Sequence, residues 1–350
     1  MGNGWYKGIL SFDCKPDRYG DRTAVWAELH VRYKDGTEEV IATDESWSVR
    51  TGQIRYSEIY MGETIDTNAP DIREGKVSAV PEAVFRPTAL TPQLNEPVRV
   101  DERLKAKRVF TDPKGNILVD FGQNLTGLVE IRIRGEKGQK ITVRHAETLD
   151  QDGVFYPDTL RTAKSEDTYI LNGEEQVLMP HFTFHGFRYA AVEGIENPRP
   201  EMFTACVMHS DMRKTGEFRC SNEKVNQLQS NISWSLRDNF FDIPSDCPQR
   251  DERLGWMGDA QVFSWTAAFN RETALFFYKM DEGYIGGIFT GTGSASYSTG
   301  HTGNLQFRGV ERRGSDHTVG SLPDVWRHTY FRTIMEMYAR VGGLYSQSRK

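Results

Sequence analysis

The sequence predicts a multidomain chain, antiparallel β-structure over roughly the first two thirds and α-helix after it. Three observations predict this. Thr23–Tyr33 interleaves Val25, Ala27, Leu29, Val31 and Tyr33 with polar or bulky partners, the period-2 pattern of a strand. Similar runs, separated by glycine turns, recur as far as Val192. From Ser221 the period changes, and Val225, Leu228, Ile232 and Leu236 recur at helical spacing. At 350 residues, two or three domains are expected.

Asp35-Gly36 follows the first strand as a hairpin turn, and Val40–Ile41 and Trp47–Val49 continue the pattern. The opening Gly4–Gly8 reads as the interior of a sheet, so Met1 reads as an internal start. That would leave unpaired edges and exposed apolar faces. Ala69–Asp101, rich in Pro and Glu, reads as a connection with a strand or two. Asn116–Phe121, Gly127–Arg134 and Lys140–His145 are strands set apart by glycine turns, and Asp167–Leu171 and Phe187–Val192 close the set. His145, His181 and His185 lie among strand aromatics and read as structural residues; no metal is assigned. Ser221-Asn222-Glu223 supplies helix caps, and Asp259–Phe269 and Arg271–Lys279 are further helical stretches. Trp234 and Trp265 read as core on these helices.

A net charge of −6 gives no electrostatic reason to expect nucleic acid or an anionic membrane as partner. No apolar run approaches the length of a bilayer span. Met1-Gly2-Asn3-Gly4-Trp5 has neither a basic nor an apolar signal region, so a cytoplasmic location is the default. Cys14, Cys206, Cys220 and Cys247 are scattered without metal-site spacing and read as reduced thiols. No cofactor is expected.

The densest chemistry lies in Asp246–Asp259. Four carboxylates, two arginines, a tryptophan and two glycines fall within fourteen residues, just ahead of apolar Ala260–Ala268. The bland reading is a solvated helix cap, with Asp259 complementing a helix N-terminus. The richer reading is a pocket for a polyhydroxylated ligand. Carboxylates accept hydrogen bonds from vicinal hydroxyls, an indole covers the apolar face of a sugar ring, and a carboxylic acid can protonate a leaving oxygen.

The run from Asn239 through Ala268, including Phe240-Phe241-Asp242-Ile243-Pro244-Ser245, resembles the signature of the bacterial and fungal α-L-rhamnosidases of glycoside hydrolase family 78. Asp120–Asn124 and His181–Tyr189 resemble that family's concanavalin-like β-sandwich. The resemblance covers about residues 3–279 and implies two antiparallel β-sandwich domains followed by the start of an all-α (α/α)6 six-hairpin barrel. It implies a partial N-terminal β-sandwich over 1–75, the concanavalin-like sandwich over 76–204 and the opening of the catalytic barrel over 205–279. It also implies inverting hydrolysis of terminal α-L-rhamnose from glycosides or polysaccharides. Glu252 then falls on the general acid, Asp246, Arg250 and Asp259 on the residues that grip rhamnose hydroxyls, and Trp256 on a wall near its methyl group. Asp246, Asp251 and Asp259 would raise the acid's pKa, while Arg250 and Arg253 would oppose them. The family's general base lies on a later part of the barrel, so the chain as written is expected to be inactive. A non-catalytic carbohydrate-binding β-sandwich, or another (α/α)6 glycosidase, stays open.

After Lys279 the periodicity stops. Residues 283–303 hold seven glycines with no repeat unit, which by composition is a flexible loop. Read one nucleotide forward through degenerate codons, the stretches 308–331 and 341–350 permit helical segments resembling the same family. Residues 280–350 are therefore expected to be an out-of-frame tail without a consistent core.

Overall fold

The computed structural model describes residues 1–280 apart from 11–13, 18, 70, 79–92 and 94. The expectation for the tail lies, past Met280, outside the described residues.

A short helix α1 (Gly4–Lys7) opens the chain where sheet was expected. Strands β1 (Glu28–Arg32) and β2 (Glu38–Ala42) then pair antiparallel around the Asp35-Gly36 turn, in which Gly36 takes φ +89°. Their apolar side chains are uncovered: Leu29, Val40 and Ile41 are 58%, 52% and 45% exposed. Strand β3 (Ser48–Arg50) pairs with β6 (Glu74–Lys76).

Between these two lie β4 (Ile54–Glu58) and β5 (Gly62–Asp66), which join the main sheet. The β4–β5 turn is organised by Glu58, whose carboxylate accepts from the backbone N–H of Tyr60 and Met61 at 2.8 and 3.0 Å. Strand β5 runs parallel to β11 (Glu166–Ile170), and the sheet continues antiparallel through β10 (Lys140–Ala146) and β13 (His185–Glu193). It then passes to β9 (Ile117–Arg134), β14 (Phe203–Ser210) and β7 (Val98–Lys105). Strands β8 (Arg108–Thr111) and β12 (Glu175–Leu178) also pair with β9. The main core lies against this sheet, with Phe121, Ile131, Leu171, Phe187 and Phe203 each at most 1% exposed.

One reading of the strands is corrected. Asn116–Phe121 and Gly127–Arg134 are not separate strands: β9 runs unbroken through both. Gly122, at φ +76°, bends the strand without ending it. Gly127 is a paired strand residue, as expected, and a Cβ there would lie 2.0 Å from the Cys206 carbonyl oxygen, so its lack of a side chain admits β14.

Helix α2 (Glu223–Asn239) is capped by Asn222, whose side chain accepts from the Lys224 N–H at 3.0 Å. Its apolar stripe meets the rest of the described structure at the C-terminal end. There Leu236 is buried and Arg237 pairs with Asp101 and Glu102 at 3.1 and 2.9 Å, while Leu228 stays 57% exposed. A two-residue hairpin, β15 (Phe240–Phe241) and β16 (Ile243–Pro244), leads into the acidic loop and then helix α3 (Met257–Asn270). Residues 274–280 are helical again. Leu236, Phe240, Ala260, Ala267, Phe276 and Phe277 form a second core beneath the loop. Among the described residues no helix is long and apolar enough to cross a membrane.

Candidate active site

The loop between α2 and α3 does not hang free in solvent. Its inward residues are clamped onto the β-sheet region, and its outward carboxylates are left facing open space. Arg253 is the anchor. It is fully buried at φ +43°, and its Nη1 donates to the carbonyls of Ile59 and Phe184 at 2.9 and 2.7 Å. Its guanidinium lies 4.7 Å from the Phe184 ring centroid and 5.3 Å from that of Tyr60. Burial draws it down to about 10, against the pull of Tyr60 and Glu58. The Arg253 hydrogen bonds go to backbone carbonyls, whereas Arg250 binds the Glu252 carboxylate directly.

Three further contacts complete the clamp. Tyr60 Oη donates to the Glu252 carbonyl at 2.7 Å. Thr162 donates its backbone N–H to Asp251 Oδ2 at 3.3 Å, with its hydroxyl on the same oxygen. Gly186 lets the loop approach, since a Cβ there would lie 2.8–3.0 Å from Gln249.

Glu252 is 5% exposed, and its Oε2 is gripped by two guanidinium groups. Arg250 Nε and Nη2 lie 2.7 Å away, and so does Nη2 of Arg161. Arg161 also sets its Nε 2.7 Å from Asp251 Oδ1. Sequence reasoning missed Arg161, which lies 91 positions before Glu252 and in no motif with it. It also expected Asp251 to crowd the acid, whereas Asp251 is turned into Arg161 and Thr162.

Asp246 and Asp259 are exposed, on opposite ends of the loop. They are electrostatically coupled: the Asp259 carboxyl is raised by partial burial and then by the Asp246 charge. Asp246 adopts φ +57° and accepts from the Cys247 thiol at 3.1 Å. Burial, then that bond, raises the thiol. Asp246, Cys247 and Glu252 bring ligand-type atoms within 4.8 Å of one another, so this group could hold a cation. Trp256 is partly exposed and packs beside Leu10, Leu254, Trp5 and Tyr19. One face is therefore used for packing.

The histidines divide. His181 is 59% exposed on Glu63, whereas His145 and His185 are fully buried with rings stacked at 4.1 Å. His185 Nε2 lies 3.1 Å from Asp167 Oδ2, and His145 Nδ1 lies 2.8 Å from the Ser165 carbonyl. Among the described residues, His145, Asp167 and His185 form a second group with the donors for a metal ion.

The model of the α-L-rhamnosidase N-terminal domain matches residues 1–102. That of the bacterial α-L-rhamnosidase concanavalin-like domain matches 110–209, and that of the bacterial α-L-rhamnosidase 6 hairpin glycosidase domain matches 213–282. An α-L-rhamnosidase of Streptomyces avermitilis is 40% identical over 287 residues, which are 79% of this chain and 28% of that protein. One from Formosa agariphila is 40% identical over 288 residues, covering 78% of this chain and 31% of the relative. The chain thus spans under a third of these relatives' length. The structure of the Streptomyces avermitilis enzyme complexed with L-rhamnose superposes with a TM-score of 0.76 at 38% identity, over 81% of this chain and 28% of that one. That of native Aspergillus terreus α-L-rhamnosidase superposes with a TM-score of 0.77 at 39% identity, over 85% and 36%. The described structure is largely β-sheet, and its helices α2 and α3 fall within the match to the six-hairpin glycosidase model.

Proposed function

The chain belongs to the α-L-rhamnosidase family of glycoside hydrolases, and from that premise we propose that Asp246–Asp259 forms the proton-donating half of a rhamnoside-cleaving site. One observation carries the reading. The loop holds a buried glutamate, Glu252, within 4.8 Å of the exposed Asp246, and Asp246 is coupled in turn to Asp259 across open space. A buried acid beside exposed hydroxyl acceptors is the arrangement that protonating a sugar's leaving oxygen demands.

Glu252 gives its proton to the glycosidic oxygen as the bond to the anomeric carbon breaks. A water attacks that carbon from the opposite face and loses its proton to a second carboxylate, roughly 6.5–9.5 Å from the first in an inverting enzyme. That base comes from a part of the barrel beyond this chain. Asp246, Arg250 and Asp259 bind rhamnose hydroxyls, and the uncovered part of Trp256 faces the sugar's methyl group. For Arg250 this requires a partner exchange, since it is bound to Glu252 in the free site. The substrate is a terminal α-L-rhamnoside of a glycoside or polysaccharide.

The domains divide as 1–75, 76–204 and 205–279, with β4 and β5 of the first unit completing the sheet of the second. Residues 280–350 are read in a shifted frame. The end of the six-hairpin match at residue 282 supports this. One base corrected near codon 279 should open a continuous family-like frame in the coding DNA; if none opens, that part is wrong. The catalytic reading is tested in the intact gene product. Glu252→Gln should lower hydrolysis of an aryl α-L-rhamnoside by about a hundredfold or more. Unchanged hydrolysis would remove Glu252 from the role.

A further inference from the structure

We propose that Arg161, which belongs to the β-rich region rather than to the helical domain, is a positioning residue for the proton donor. The inference rests on Glu252 being that donor and adds what holds it in place.

Asp251 and Glu252 are neighbours in sequence, and neighbouring side chains ordinarily diverge. Here one guanidinium meets both: its Nη2 donates to Glu252 Oε2 at 2.7 Å, and its Nε lies 2.7 Å from Asp251 Oδ1 as an ion pair without a directed hydrogen bond. A rigid, delocalised cation can hold one carboxylate by a hydrogen bond and a second by charge, an arrangement the single ammonium of a lysine does not reproduce. The backbone of Arg161 is bent to deliver it, at φ 57° and ψ −112°, outside the regions a non-glycine residue favours. Such a conformation persists only where its surroundings hold it, and Thr162 supplies that hold through its backbone and hydroxyl bonds to Asp251. Asp251 thus fixes Arg161, and Arg161 fixes Glu252.

The clamp also selects an oxygen. Arg161 and Arg250 both bind Oε2, so the proton to be transferred is carried on Oε1. When Arg250 turns to the sugar, Arg161 keeps the carboxyl group from rotating. The donor's geometry is therefore set from outside the domain that carries it.

Two measurements test this. In the chain itself, the Arg161 guanidinium should rotate slowly about its Cζ–Nε bond in side-chain nitrogen NMR, and Asp251→Asn should speed that rotation. Free rotation in the unaltered chain overturns the clamp. In the intact gene product, Arg161→Gln is compared with Glu252→Gln on a phenyl and a dinitrophenyl α-L-rhamnoside, the second of which departs without protonation. Arg161→Gln should lower kcat on the phenyl substrate by about tenfold or more and leave the dinitrophenyl substrate nearly unaffected, with Arg161→Lys recovering only part. Equal loss on both substrates would mean a merely structural role and would overturn the proposal. If Glu252→Gln itself shows no such split, the donor assignment fails; if it shows the split and Arg161→Gln does not, the positioning role alone fails.

Discussion

Tyr60 donates its phenolic hydrogen to the carbonyl oxygen of Glu252 at 2.7 Å, joining residues 192 positions apart. With Arg253, it makes the β4–β5 turn the floor of the acidic loop. Tyr60→Phe leaves a buried carbonyl without its donor and should cost about 1–3 kcal/mol of stability. Arg253→Met takes the Arg253 donor from the Phe184 carbonyl and leaves that of Ile59 with the Thr183 hydroxyl, and should cost about 2–5 kcal/mol. Urea unfolding of the chain gives both values, and equal midpoints for the three proteins would contradict the clamp.

Gly186 offers a way to disturb the loop without dismantling the core. In Gly186→Ala the new Cβ meets the Gln249 backbone within 3.0 Å, so the loop must shift by a few tenths of an ångström. Overpacking of this kind costs about 1–3 kcal/mol. A crystal structure of the variant should show the 246–253 segment displaced from β13, with the β9–β13 pairing intact. A loop that stays in place would show that the contact is slack.

Stability should fall with acidification because of the buried His145, Asp167 and His185. Burial holds His145 down to about 3 from an ordinary 6.5, and His185 well below its ordinary value. Unfolding therefore lets both take up protons below pH 6.5. Burial also pushes Asp167 up from 3.8 to about 6, so the folded state gains one proton of its own there. Near pH 5 the unfolded chain binds two protons at these sites and the folded chain one. The net difference of one makes stability rise with pH, by about 1.4 kcal/mol per unit. It is fully present above pH 6.5 and lost on descent. Burial also raises Asp238 to about 7, which opposes this trend, so the contribution is read by difference: from pH 7 to 5 the denaturant midpoint of the unaltered chain should fall more, or rise less, than that of His185→Asn.

Asp246 and Asp259 share open space, and each should report on the other. Removing the Asp246 charge takes away the second cause of the raised Asp259 carboxyl, so Asp246→Asn should bring its titration down toward the ordinary aspartate range. Carbon-detected NMR titration of the labelled carboxyl measures this. An unmoved midpoint would place the two side chains further apart than described.

Local chemistry made much of this legible. Lys140–Ala146 alternates as a half-covered strand does, and Asn222 announced α2. Strand β14 went unnoticed because Phe203–Ser210 is buried on nearly every residue, so no alternation survives. Gly122 reads as a turn because sequence cannot tell a glycine that reverses the chain from one that only bends a strand. In the loop, Glu252, Asp246 and Asp259 stood out by composition. Arg161 did not, since nothing near it in the chain marks a residue that reaches across 91 positions.

The long reach between Tyr60 and Glu252 also sets a clock on synthesis. At roughly 5–20 residues per second, the 192 intervening positions take about 10–40 s to emerge from a ribosome. Throughout that interval the Tyr60 hydroxyl exists without the carbonyl it will bind. The β-sheet region must wait, already made, for the loop that seals it. Conditions that slow translation past residue 200 should lengthen this vulnerable stage and favour capture by chaperones.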